Sequence, residues 1–287
     1  MAFNTLFSSI LLQLCLASIG LAAPVSTEAT DNSWQYGTGG GLIGLIVLIL
    51  DIIVFVEILK SRRTPVQKLI WCLVVFLFPD ESAWPIYAND CNQGGKVSLD
   101  TTTAHSGSNS VRVDGAGGYC GHIFFGTTSV PSGDLYVRTW LKAQNALTDA
   151  HVSFITMPDS AQGANKHLRI GGQSKILMYN RESDDATLPD LSPQGIAASK
   201  ALPTGDWQCF EYHVGADGTI ETWLNGEAIE GLTVKSGVDN PNAGQWLRSN
   251  VVPKPTAVYF GWESYGGDTN TFWYDDIVIS DTRVGCE

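Results

Sequence analysis

From Trp84 to the C-terminus the chain consists of short runs in which apolar and polar residues alternate, broken by Gly, Pro and Asp. No helical period is sustained after residue 82. Leu135, Val137, Thr139 and Leu141 alternate with Tyr136, Arg138, Trp140 and Lys142. The stretches 151–157, 207–214, 219–224, 258–263 and 271–279 read the same way, as strands with one face toward a core. Asp217-Gly218 and Asn225-Gly226 are hairpin turn signals, since both residue pairs tolerate positive φ. Strands of this number and length predict an all-β fold over residues 80–287, a two-sheet β-jelly roll (a β-sandwich), which limits exposed edges.

One stretch within this texture concentrates polar chemistry: His167-Leu168-Arg169-Ile170-Gly171-Gly172-Gln173. Side chains on a strand alternate with period two, so Leu168 and Ile170 face a core. His167 and Arg169 then share the other face, about 6.6 Å apart. Gln173 joins them provided the Gly171-Gly172 pair does not bulge and flip the register. A base, a permanent cation and an amide on one face are parts suited to a carboxylated sugar; on pattern alone they equally describe a solvated sheet face.

The whole chain is acidic, with 17 Lys+Arg against 29 Asp+Glu and a formal net charge of −12, which excludes the basic footprint of general nucleic-acid binding. A polyanionic glycan is repelled at long range, but screening over about 8 Å leaves local groove charge to decide. Nine Trp, nine Tyr and thirty Gly suit either core aromatics or sugar-stacking surfaces.

Residues 1–23 read as a secretory signal peptide, with an apolar stretch from Leu6 to Leu21 and small residues at its end. Residues 24–40 form a polar, Gly-rich linker. Gly41 to Leu59 is apolar apart from Asp51 and Glu57, near the length of a membrane span, and Lys60-Ser61-Arg62-Arg63 marks its cytoplasmic side. The following run, Leu69 to Phe78, is too short to span alone. The chain is therefore expected to be extracellular, and membrane-anchored where residues 41–78 act as an anchor.

Four cysteines lie in the β region: Cys91, Cys120, Cys209 and Cys286. Cys15 falls in the signal peptide and Cys72 in the apolar run. An even count in a secreted chain predicts two disulfides with three possible connectivities. The expected pairing is Cys91–Cys120 with Cys209–Cys286, the second tying the C-terminus into a sheet. Zinc is the rival reading, but no close Cys or His spacing supports it.

Two resemblances add to this reading. Residues 40–79, through Gly-Leu-Ile-Gly-Leu-Ile, Lys60 to Pro65 and Lys68 to Trp71, resemble the membrane hairpin called the phospholipase D nuclease N-terminal domain. Phe78-Pro79 cuts the hairpin short, and no His-x-Lys-x4-Asp spacing for phospholipase chemistry is present. Residues 84–286 resemble the fungal cellulose-inducible secreted jelly-roll proteins, relatives of glucuronan and alginate lyases. The runs that carry this are 90–95, 104–110, 118–128, 166–174, 179–191, 219–226, Asp275-Asp276 and 282–286.

The second resemblance implies calcium (Ca2+) held by Ser106, Asn109 and Asp275, with Glu81 replacing a glutamate of the family's N-terminal segment; hard oxygen ligands suit this ion. It implies a cleft of His151, His167, Arg169, Gln173 and Asp185. In a polysaccharide lyase Arg169 and Gln173 would neutralise a uronate carboxylate, and His151 or His167 would act as base. Tyr265 is the candidate acid, and Asp185 would orient Arg169 or a histidine, or else hold the loop 181–190. The expected partner is a plant cell-wall polysaccharide, bound by a monomer. The competing readings are a non-catalytic carbohydrate-binding module, a hydrolase using Glu221 and Glu263, and a membrane anchor carrying the β domain as passenger.

Overall fold

The computed structural model describes residues 84–88, 94–118 and 122–286. The signal peptide, linker and hairpin of residues 1–79, Glu81 and the Cys91–Cys120 pair lie outside the described residues. Among the described residues, no helix is long and apolar enough to cross a membrane.

Among the described residues, two antiparallel sheets of seven strands each face one another. The first runs β1 (Ile86–Tyr87), β4 (Ile123–Thr127), β13 (Val258–Ser264), β6 (Val152–Pro158), β7 (His167–Gln173), β8 (Ile176–Arg181), β9 (Ala186–Leu188). The second runs β12 (Glu227–Ala228), β11 (Ile220–Leu224), β10 (Gln208–Val214), β5 (Leu135–Ala143), β14 (Asn270–Ser280), β3 (Ser110–Gly115), β2 (Lys96–Asp100). The expected β-sandwich is thus present, and its strands fall where the alternation put them. Among the described residues, helix is confined to short pieces at Pro193–Ala198 and Gly244–Leu247 and a 3-10 turn at Glu230–Leu232. Asn225 and Gly226 both take positive φ between β11 and β12, the conformation such a hairpin requires.

The core lies between the sheets. Along β5 every odd-numbered residue is buried and every even-numbered one partly exposed, the period-two pattern of a half-buried strand. Phe154, Leu168, Ile170 and Phe260 from one sheet pack with Leu141, Phe210, Phe272 and Tyr274 from the other. Burial of each such side chain contributes about 1.5–3 kcal/mol. Two tyrosines cross the core with their polar ends satisfied. The Tyr179 hydroxyl lies 2.8 Å from Thr222 Oγ1, and Tyr274 Oη lies 2.9 Å from the carbonyls of both Phe154 and Gly261.

The glycine pair of β7 does not bulge. Its ladder with β8 is regular from Leu168 to Gln173, and the irregularity opposite β7 falls on β6, between Ser153 and Ile155. Phe154 and Ile155 there both enter the core. Gln173 therefore keeps the face of His167 and Arg169. Gly171 and Gly261 meet their neighbours too closely for a side chain, since a Cβ would overlap the carbonyl oxygens of Val152 and Ile123.

The Cys209–Cys286 disulfide is present, bridging 77 residues and fastening the C-terminal segment to β10. Arg283 and the Gly285 N–H both bond the buried Glu211 beside it.

Candidate functional site on the outer face of the first sheet

A pocket of about 300 Å³ opens on the outer face of the first sheet. Its floor comes from four neighbouring strands: Phe124 on β4, Glu263 on β13, Thr156 on β6, and His167 with Arg169 on β7. Tyr87 on β1 and His122, just before β4, wall one side; Tyr265, just past β13, and Glu182 at the end of β8 complete it with Asn165. The parity read from the sequence operates here, because Leu168 and Ile170 are wholly buried in the core while His167 and Arg169 point the other way.

Arg169 sits at the centre, only 7% exposed, between two carboxylates. Its Nε lies 3.1 Å from Glu263 Oε2 and its Nη2 3.2 Å from Glu182 Oε2. Burial disfavours the guanidinium charge, but Glu263 and then Glu182 outweigh it and keep Arg169 firmly protonated. Glu263, itself 3% exposed at its side chain, also reaches His122, with Oε1 3.5 Å from Nε2.

Glu182 faces the other histidine. Its Oε2 accepts the His167 backbone N–H at 2.9 Å and lies 3.1 Å from His167 Nδ1. Burial pushes its carboxyl up, yet the His167 bond and the Arg169 charge prevail and hold it at about 2. With Nδ1–H donated to Glu182, His167 Nε2 is left as an acceptor, and the Tyr87 hydroxyl lies 3.1 Å from it. Tyr265 lies under the Arg169 guanidinium, 5.7 Å from ring centroid to Cζ. Burial first, and the neighbouring Glu263 carboxylate next, push its hydroxyl well above the usual phenol value, so it stays protonated at working pH.

Of the residues expected in the cleft, the structure brings His167 and Arg169 together and adds Tyr265. His151 stands behind the pocket lining, 5.6 Å from the Tyr265 ring, with a buried Nε2 that has no hydrogen-bond partner among the described residues. Burial, then the Arg169 charge, pull its basicity down, so it is neutral. Gln173 shares the face but lies four residues beyond Arg169, outside the pocket lining. Asp185, at φ +54°, accepts Asn180 Nδ2 at 2.9 Å and so ties its own turn, the loop-holding alternative. The hydrolase pair is separated, since Glu263 is on β13 and Glu221 on β11 of the opposite sheet, engaged with His213 and Lys235. Sequence reading passed over Tyr87, His122 and Glu182. The last two stand in runs already singled out, but period and spacing hold no signal for contacts between distant strands.

At the expected calcium site, the β14 ladder is irregular after Asp275, and Asp276 takes φ +45°. Asp275 Oδ2 accepts the N–H groups of His105 and Ser106 at 2.7 and 3.2 Å, and its Oδ1 accepts Asp276 N–H at 2.7 Å. Ser106 Oγ donates to Asp276 Oδ1 at 2.7 Å. Among the described residues, Asp275 is thus occupied by three backbone N–H donors. Ser106 and Asp275 thus meet, with Asn109 three residues on in the same loop. Stacking of His105 on Trp140, 3.7 Å between ring centroids, holds that loop to the second sheet.

Comparison with known proteins agrees with this architecture. A family model described as polysaccharide-lyase-like, Cip1-like core domain, matches residues 78–282, and a phospholipase D-nuclease N-terminal model matches residues 49–79. A solved structure, "Cellulose induced protein, Cip1", is 67% identical with a TM-score of 0.71, covering 72% of this chain and 95% of that one. A botulinum neurotoxin type C chain is 13% identical (TM-score 0.41), covering 66% of this chain and 44% of that one, too distant to carry an argument. None of the curated proteins matches. The match over residues 78–282 and the shared identity with Cip1 mean that this chain belongs to the Cip1-like core-domain family.

Proposed function

We propose that this protein is an extracellular polysaccharide lyase that cleaves a uronic-acid-containing plant cell-wall polymer by β-elimination. The observation that supports this most is the convergence of Arg169, His167 and Tyr265 on one polar pocket. In the reaction the proton beside the uronate carboxylate leaves, the glycosidic C–O bond breaks, a C=C bond forms, and the departing oxygen takes up a proton. Arg169 faces the carboxylate and stabilises the negative charge that builds on it. His167 Nε2, held as an acceptor by Glu182 on the other ring nitrogen, takes the proton. Tyr265, kept protonated by its surroundings, supplies one to the leaving oxygen. Tyr87 offers ring surface for the sugar.

Calcium belongs to the same reading. Ser106, Asn109 and Asp275 would hold it, and it would supply structural cross-linking of the loop to β14.

A second reading, a binding module that does not cleave, is favoured by one observation: Arg169 is already shared by two carboxylates. The test separates them. The full chain is incubated with glucuronan, alginate and pectin, and the ultraviolet absorbance of unsaturated ends is followed. A rise on one polymer, lost in Arg169→Ala, is expected. No rise on any of them, with retained binding to an insoluble wall polymer, overturns the lyase in favour of the binder.

A further inference from the structure

The two carboxylates on Arg169 are not equivalent. Glu263 is on a central strand, its side chain 3% exposed, and also engages His122. Glu182 is at the rim, its side chain 22% exposed, on the turn between β8 and β9. Its carboxylate nonetheless gathers every kind of donor an anion site uses. These are a guanidinium at 3.2 Å, a backbone N–H at 2.9 Å, an imidazole nitrogen at 3.1 Å and the Lys166 ammonium at 3.5 Å.

The turn that presents it is anchored without it. Arg181, wholly buried, makes two bonds of 2.8 Å to Asp184 and a third of 3.0 Å to the Trp246 carbonyl. The Glu182 side chain can therefore rotate outward while the backbone stays in place. The donors it leaves behind match another carboxylate on a single carbon, which is what a uronic acid carries. His167 then gives its Nδ1–H to that carboxylate, which keeps Nε2 an acceptor as Glu182 did.

We propose that Glu182 occupies this pocket's uronate-carboxylate position and swings out when an acidic sugar enters, so that it sets the discrimination between acidic and neutral sugars. The inference rests on the reading that Arg169 receives a uronate carboxylate. Glu182 remains ionised at any working pH, so the competition is between two anions for one donor set.

The experiment titrates D-glucuronate and D-glucose into the full chain and its variants, with binding followed by NMR shift perturbation or calorimetry. Glu182→Ala is expected to bind glucuronate about tenfold more tightly than the parent, a change of about 1.4 kcal/mol, with glucose unaffected. Adding Arg169→Met to that variant abolishes the gain. Glu182→Ala that folds, by a single cooperative thermal transition, and binds glucuronate no more tightly overturns the inference. Should that variant not fold, Glu182→Gln keeps the acceptor oxygen without the charge and is held to the same standard. The lyase reading stands or falls separately: a gain in glucuronate affinity with no unsaturated ends from any polymer upholds the role of Glu182 and overturns only the cleavage.

Discussion

The hydroxyl of Tyr87 lies 3.1 Å from Nε2 of His167, joining residues 80 positions apart from opposite ends of the pocket floor. Tyr87 is on β1 and His167 on β7, with β4, β13 and β6 between them in the sheet. The ring of Tyr87 is in turn stacked on Tyr259, 4.3 Å between centroids and 6° from parallel, which fixes where its hydroxyl points. Tyr87→Phe keeps that stacking and removes only the hydroxyl. It is expected to lower the release of unsaturated ends about tenfold, the worth of one hydrogen bond, with a nearly unchanged thermal midpoint. Full activity in this variant would remove Tyr87 from the site.

The depressed carboxyl of Glu182 makes a prediction about acid stability. Its ordinary value is 4.5 and its folded value about 2, so the folded state holds the ionised form more strongly than the unfolded chain does. That stabilisation is complete above pH 4.5 and is lost as pH falls toward 2. Thermal midpoints of the parent and Glu182→Gln should differ most near pH 5–6 and converge near pH 2. A constant difference across the range would count against the assignment.

Calcium at Ser106, Asn109 and Asp275 is expected to raise the thermal midpoint by about 2–4 °C at millimolar concentration, reversed by a chelator. Asp275→Asn should lose the response while still folding. No shift in the parent protein would dispose of the site.

Removing the Cys209–Cys286 disulfide by Cys209→Ser with Cys286→Ser should cost about 2–5 kcal/mol in denaturant unfolding, because the bridge closes a long loop. The pocket is built on the other sheet, so glycan binding below the transition should be unchanged.

Gly261→Ala tests the close approach of β13 to β4. A methyl there overlaps the Ile123 carbonyl oxygen, and the strands must part to admit it. The expected cost is about 1–3 kcal/mol, with loss of sugar binding as Glu263 shifts beside it. A fully stable variant would show that the sheet can relax at this point.

Sequence alone determined which side chains share a face. Period two is a local property of the backbone, so His167 and Arg169 were legible as neighbours, as were Leu168 and Ile170 in the core. The same holds for the alternation of β5 and for the Asn225-Gly226 hairpin, both set by residues adjacent in the chain. The order of strands in the sheet is different in kind. It is decided by the packing of two whole sheets, so β1, β4 and β13 come to stand beside β6 and β7 although the chain separates them widely. Only that order brought Tyr87, His122 and Glu263 to Arg169, and sent Glu221 to the opposite face. The bulge, too, was decided in three dimensions: it fell on β6, where Phe154 and Ile155 both had core to fill, and not at the glycines of β7. Glu182 was visible as the residue after Arg181, but its place on the guanidinium of Arg169 depended on the β8–β9 turn folding back across β7, which no local pattern encodes.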